Sequence, residues 1–195
     1  MREKNMDYPL WCQVRAGLID ALRRLYLNDA YLVHIKAHER SITFRLGMYL
    51  QQIFTSWNVD CEYNRNFYTG NNSKMISISL DCQKHYNCNV CEKKCNGCTV
   101  FPDIIIHRRR TENNLLIIEA KTNKHLESDE VKKDIVKIEQ YVADNVLAYK
   151  YGLFINFANS ACNTLHGLRW CWKEDSEGTP CWHNNCGEKI ETPTK

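Results

Sequence analysis

Two runs decide how this chain is read: Phe101-Pro102-Asp103-Ile104-Ile105-Ile106-His107 and, after a polar gap, Leu115-Leu116-Ile117-Ile118-Glu119-Ala120-Lys121. Both are short and dominated by β-branched and other apolar residues, and the gap between them, residues 108–114, is polar and ends in two asparagines. That pattern predicts two strands joined by a hairpin loop. If His107 pairs with Leu115, residue numbers across the pair sum to 222, and Asp103 faces Glu119. Strand alternation places Lys121 on the same side as Glu119. Two carboxylates and an amine then share one spot. Like charges this close repel strongly in a partly buried site unless a cation lies between them or one carboxylate takes up a proton. A divalent metal is the natural occupant.

Upstream, Ile42, Leu46, Tyr49 and Ile53 recur at helical spacing and predict a helix over residues 41–57. Glu39 falls at the start of the same stripe, where an isolated charge facing the sheet is expensive. It reads either as a first-turn carboxylate stabilising the helix N-terminus or as a third acidic wall of the metal site. The octahedral shell of magnesium, which two carboxylates do not complete, favours the second reading. Residues 59–67 alternate Val59, Cys61 and Tyr63 with Asp60, Glu62 and Asn64, and residues 75–80 alternate again, so both are expected strands. Ser128 is an expected N-cap, with Asp129 and Glu130 in the first turn and Val131, Ile135, Ile138 and Val142 as the buried stripe of a second helix. Residues 151–157 form a last apolar strand. The order helix, strands, helix, strand implies an α/β sandwich.

The combination of Pro102-Asp103 with Glu119-Ala120-Lys121 resembles the PD-(D/E)xK nuclease superfamily, over about residues 39–157. The resemblance implies a restriction-endonuclease-like core: a helix, a three-to-four-stranded mixed sheet, a helix and a strand. It implies that Asp103 and Glu119 bind magnesium or manganese and that Lys121 positions or activates the attacking water. Glu39 matches the acidic residue that many members contribute from the first core helix. Glu62-Tyr63-Asn64-Arg65 and Tyr151-Gly152-Leu153-Phe154-Ile155 resemble a bacterial nuclease-like branch. A Gln-x-x-x-Tyr arrangement of some branches is absent, since Asp144 follows Gln140, which argues against an exonuclease-type assignment. The expected function is metal-dependent hydrolysis of phosphodiester bonds, in DNA more than in RNA. The alternative is a catalytically silent nuclease-like module that binds nucleic acid or a protein partner through a zinc-stabilised insert.

That insert is the cysteine-rich segment of residues 81–99. The chain has 11 cysteines, and five of them, Cys82, Cys88, Cys91, Cys95 and Cys98, lie in this segment as two Cys-x-x-Cys pairs plus one. An odd total in a reducing compartment argues against a disulfide framework, and thiolate ligation of a structural zinc is the better reading. The spacer between the pairs is only Glu92, Lys93 and Lys94, so a ligand from elsewhere could replace one member. An iron–sulfur cluster and unligated cysteines stay open as alternatives. Cys162, Cys171, Cys181 and Cys186, with His166 and His183 among them, suggest a second metal site but at irregular spacing. Leu168, Trp170 and Trp172 alternate as a strand whose bulky side chains pack in the core or stack on bases.

A chain of 195 residues with 44% hydrophobic content can bury one substantial core. Its net charge of +3 excludes a strongly electrostatic nucleic-acid binder but not one with basic residues clustered at a site. Such clusters are Arg108, Arg109 and Arg110 at the hairpin tip, either gripping phosphates or simply solvated, and Lys133 with Lys137 on one face of the second core helix. Neither a leader nor an apolar run of membrane-spanning length is visible, so a soluble, cytoplasmic protein without a membrane partner is expected. The expected division is an N-terminal helical cover over residues 1–37, a nuclease-like core over 38–160 and a cysteine- and tryptophan-containing extension over 161–195. Val14, Leu18, Leu22 and Leu25 make the cover amphipathic, for packing on the core helix or for a homodimer surface.

Overall fold

The computed structural model describes residues 8–63, 75–76, 98–99, 101–122, 124–174 and 178–193, with the backbone alone at 75–76 and 98–99. Three helices come first: α1 (Trp11–Asn28), α2 (Ala30–His34) and α3 (Glu39–Ile53). Strands β1 (Asn58–Cys61), β2 (Met75–Ile76), β3 (Cys98–Thr99), β4 (Ile104–His107) and β5 (Asn114–Thr122) follow. Helix α4 (Asp129–Ala143), strand β6 (Tyr151–Phe157) and helix α5 (Ala161–His166) lead into β7 (Arg169–Trp172), β8 (Cys181–His183) and β9 (Lys189–Ile190). The architecture is α/β, with a mixed seven-stranded sheet ordered β1-β4-β5-β6-β7-β8-β9. Among the described strands, only β5 and β6 run parallel; α4 is the crossover between them. β2 and β3 form a separate antiparallel pair.

Alternation along the central strands divides the core into two layers. Ile104 and Ile106 of β4, with Leu116, Ile118 and Ala120 of β5, face α1 and α3, whose Val14, Leu18, Leu22, Ile42, Leu46 and Leu50 are fully buried. Ile105 and Ile117 face the other way, toward Tyr141, Leu147 and Tyr149. Beside them, Val131, Ile135, Ile138 and Val142 of α4 pack on Phe154 and Cys171. The N-terminal amphipathic stripe is therefore spent on the core, α1 lying against α3.

The hairpin register is as expected over its length: Ile104 pairs with Ile118, Ile105 with Ile117 and Ile106 with Leu116, each summing to 222. It breaks at the tip, where a bulge between Ile106 and His107 pairs His107 with Asn114 instead of Leu115. Such an irregularity re-aims one side chain without flipping the rest of the strand. The first core helix starts at Glu39 and ends at Ile53, so it begins two residues earlier and stops four residues earlier than its apolar spacing predicts. His38 Nδ1 accepts a hydrogen bond from Arg40 N–H at its start, and the chain turns away at Phe54. Ser128 caps α4 as expected, its hydroxyl accepting from Val131 N–H.

Two features fix where α4 sits. Its stripe is apolar over Val131, Ile135, Ile138 and Val142, and the strand beneath carries Gly152, where an added Cβ would lie 2.3 Å from Ile138 Cγ2 and 3.3 Å from Val142 Cγ2. The helix therefore rests closer to the sheet than any larger residue would permit. The extension beyond residue 160 contributes β7, β8 and β9 to the same sheet, so its backbone continues the core. Trp170 is fully buried there. Trp172 stacks on His183 with ring centroids 3.5 Å apart, next to Trp11 and Tyr151, so both tryptophans serve packing. Among the described residues, no helix is long and apolar enough to cross a membrane.

Candidate active site

The acidic residues singled out in the sequence converge where β5 meets the first turn of α3 and the middle of α4. Asp103 lies just before β4, and its Oδ2 accepts the backbone N–H of Ala120 at 2.7 Å. Glu119 sits in the middle of β5, 2% exposed, with Oε1 buried and lacking any hydrogen-bond partner. Lys121, two residues on, reaches three oxygens: Glu39 Oε1 at 3.0 Å, Asp134 Oδ2 at 2.9 Å and the Ala120 carbonyl at 3.0 Å. Glu39 is thus both a first-turn carboxylate of α3 and a partner of Lys121.

Helix α4 adds two residues that the motif does not contain. Asp134, 3% exposed, places Oδ1 2.7 Å from Lys137 Nζ, and Lys137 Nζ lies 3.9 Å from Glu119 Oε2. Asp134 shares the apolar stripe of its helix, three residues after Val131 and four before Ile138. A charge in a buried stripe is the same signal that marks Glu39, so Asp134 was findable from sequence. Lys137, expected with Lys133 on the helix face approaching a polyanion, also closes the acid cluster with its ammonium. An open cleft of about 360 Å³ leads to the cluster, lined by Glu39, Lys121, Glu130, Lys133, Asp134 and Lys137.

The electrostatics are unbalanced. Burial lifts the Asp103 carboxyl to about 6, against the pull of the Ala120 N–H and of Lys121. Burial also raises Glu119 well above the ordinary carboxylate range, with Lys137 opposing and Asp134 and Asp103 reinforcing. Burial works against the charge of both lysines, yet Asp134 and Glu39 hold Lys121, and Glu119 and Asp134 hold Lys137, above the usual amine value. The four carboxylates Glu39, Asp103, Glu119 and Asp134, set against two ammonium groups, leave two negative charges uncompensated when all are ionised. The orphaned Glu119 oxygen and that charge deficit fit a hard divalent cation taken by oxygen ligands. Among the described residues, no three His, Cys, Asp or Glu side chains stand ready around one point. The ammonium groups bridge the carboxylates: Lys121 lies between Glu39 and Asp134, and Lys137 between Asp134 and Glu119.

At the other end of β4 a second charged group has a different character. Asp60 Oδ2 lies 2.8 Å from His107 Nε2 and accepts Arg109 Nε–H at 2.9 Å, while Asp60 Oδ1 accepts from the Arg109 Nη2 amine. Burial alone would raise Asp60, but His107 and Arg109 hold its carboxyl far below the usual range. The Arg108 guanidinium lies over the Trp57 ring at 5.2 Å. Two of the three hairpin arginines therefore have partners within the fold.

The cysteine expectations divide by position. Cys82, Cys88, Cys91 and Cys95 lie outside the described residues, as does the side chain of Cys98, so the zinc reading of the insert falls there too. In the extension, Cys171 is buried and Cys162 Sγ is 3.9 Å from His166 Nε2, while His183 is buried against Trp172. Among the described residues these do not gather into a metal-binding group. No family model matches this chain, and no curated protein matches it either.

Proposed function

We propose that this chain is a magnesium- or manganese-dependent nuclease of the PD-(D/E)xK type, with a restriction-endonuclease-like core, hydrolysing phosphodiester bonds in DNA. The observation that carries the reading is the pairing of a buried carboxylate, Glu119, and a partly buried one, Asp103, with Lys121 on the same hairpin, where desolvation opposes ionisation of both acids. A scaffold gains nothing from such a cluster, because a buried charge without a partner costs several kcal/mol. Asp103 and Glu119 would hold the ion, with Glu39 and Asp134 at its margin. Magnesium, when bound, supplies Lewis-acid polarisation of the phosphate and lowers the pKa of the attacking water. Lys121, kept protonated by Glu39 and Asp134, would stabilise the negative charge that develops on the phosphate oxygens. Glu39 orients Lys121 from the α3 side and Asp134 from the α4 side.

Cys82, Cys88, Cys91, Cys95 and Cys98 would hold a structural zinc that keeps a polar insert folded, in a cytoplasmic protein. Elemental analysis of protein purified without added metal should find close to one zinc or more per chain; iron with visible colour would redirect that assignment.

The decisive experiment compares cleavage of supercoiled, linear and single-stranded DNA, and of RNA, with and without magnesium. Lys121→Ala should lose cleavage by a hundredfold or more while keeping metal affinity, and Asp103→Ala should lose both. A chain that binds nucleic acid but cuts nothing under any of these conditions is the silent nuclease-like module instead. Equal cleavage by Lys121→Ala and the unmodified chain would refute the mechanism.

A further inference from the structure

The two lysines of the acid cluster are held very differently. Lys121 Nζ has three oxygen neighbours at 2.9–3.0 Å, from α3, α4 and its own strand. Lys137 Nζ has one close partner, Asp134 at 2.7 Å on its own helix, and stands 3.9 Å from Glu119, beyond hydrogen-bonding length. Its side chain is 22% exposed and lines the open cleft, so its flexible four-carbon stem has space on the solvent side. The other oxygen of Glu119 meanwhile is buried and unpartnered. An ammonium and a divalent cation a few ångströms apart repel strongly in such a site, so both cannot rest on Glu119 together.

We infer that Lys137 is a built-in counter-ion, which neutralises Glu119 and Asp134 while the site is empty of metal and must withdraw into the cleft for a divalent cation to load. The inference rests on the metal-dependent reading above and adds to it a competitor for the ion. Lys137 sets a threshold for metal affinity: the chain stays folded without the ion, and the ion must displace an amine. Lys121 is not the displaced group, because it donates to Glu39 and the Ala120 carbonyl and is ion-paired with Asp134.

Manganese affinity, read from the electron paramagnetic resonance of the free ion, tests this directly in the unmodified chain, Lys137→Gln and Lys137→Arg. Lys137→Gln should bind manganese at least about tenfold more tightly, because a neutral amide removes the repulsion. Lys137→Arg keeps the charge and should bind no more tightly than the unmodified chain. A lysine that merely supports the fold predicts equal or weaker binding in Lys137→Gln, and that result overturns the inference while leaving the metal centre in place. Manganese bound by neither the unmodified chain nor Lys137→Gln overturns the metal centre and the inference with it. A second measurement needs no variant: acetylation of Lys137, quantified by mass spectrometry on the unmodified chain, should rise several-fold when magnesium is added. Unchanged labelling in a chain that does bind magnesium also overturns the inference.

Discussion

The two ends of strand β4 carry carboxylates that meet opposite fates. Asp60, opposite one end, is satisfied by the His107 ring and the Arg109 guanidinium, and its carboxyl is held far below the ordinary range. Asp103, at the other end, accepts one backbone N–H and is lifted to about 6, and Glu119 beside it is raised further by complete burial. The sheet and its layers are shared; what differs is the supply of counter-charge. Asp60 strengthens the fold by being ionised, whereas Asp103 and Glu119 weaken it by being ionised. A protein keeps the second kind of arrangement only where the unmet charge has a use.

Four experiments would break or sharpen that contrast. The largest effect is expected at Glu119→Gln, which should lower magnesium-dependent cleavage by a hundredfold or more. The same change should raise metal-free stability by on the order of 1–3 kcal/mol in chemical denaturation, since the amide has no charge to bury. Lost activity with lowered stability would mean that the carboxylate is a structural acceptor.

Next comes the pH dependence of Asp103. Its folded pKa is raised, so between the ordinary carboxylate value near 4 and about 6 the folded chain holds a proton that the unfolded chain has released. Stability of the metal-free protein should therefore fall as pH rises through that window, by up to about 3 kcal/mol, and then level off. Asp103→Asn should flatten that part of the profile, and identical profiles for the two chains would sink the assignment.

Asp60→Asn is expected to cost about 1–3 kcal/mol, a range discounted because Arg109 is half exposed. The contribution of a depressed carboxyl is present above its unfolded value near 4 and is lost as pH falls below it, so variant and unmodified chains should converge in acid. Cleavage measured well below the melting temperature should be retained. The smallest effect is expected at Arg109→Ala: under about 1 kcal/mol in stability, with KM for DNA unchanged because its guanidinium is already committed to Asp60. A raised KM would restore the hairpin tip as a phosphate contact.

Much of this was legible in the residues. The apolar runs of β4 and β5 mark the hairpin, and the register Ile104 with Ile118 brings Asp103 level with Glu119, although the tip does not close on the His107–Leu115 pair from which that register was counted. The stripes of α1, α3 and α4 are read from apolar spacing, and Ser128 from its capping chemistry. The bulge that moves His107 onto Asn114 has no signal in composition, since it depends on how the tip closes around Asp60. Strands β8 and β9 are three and two residues long, too short for an alternation to register, although they pair only with β7 and with each other. Lys137 was placed with Lys133 on a face approaching a polyanion; its contact with Asp134 follows from their i, i+3 spacing, but its approach to Glu119 depends on how α4 lies over β5.

Gly152 carries the last consequence. A single methyl there would run into Ile138, the residue immediately after Lys137. The clearance between α4 and the sheet is thus gauged by one missing carbon under the apolar stripe of the helix. Any replacement at that position would act as a shim, shifting the helix outward and lengthening the span from the amine of Lys137 to Glu119. The strength of the counter-ion is in this way adjustable from a position that touches neither charge, so selection or engineering could tune the metal threshold through packing alone.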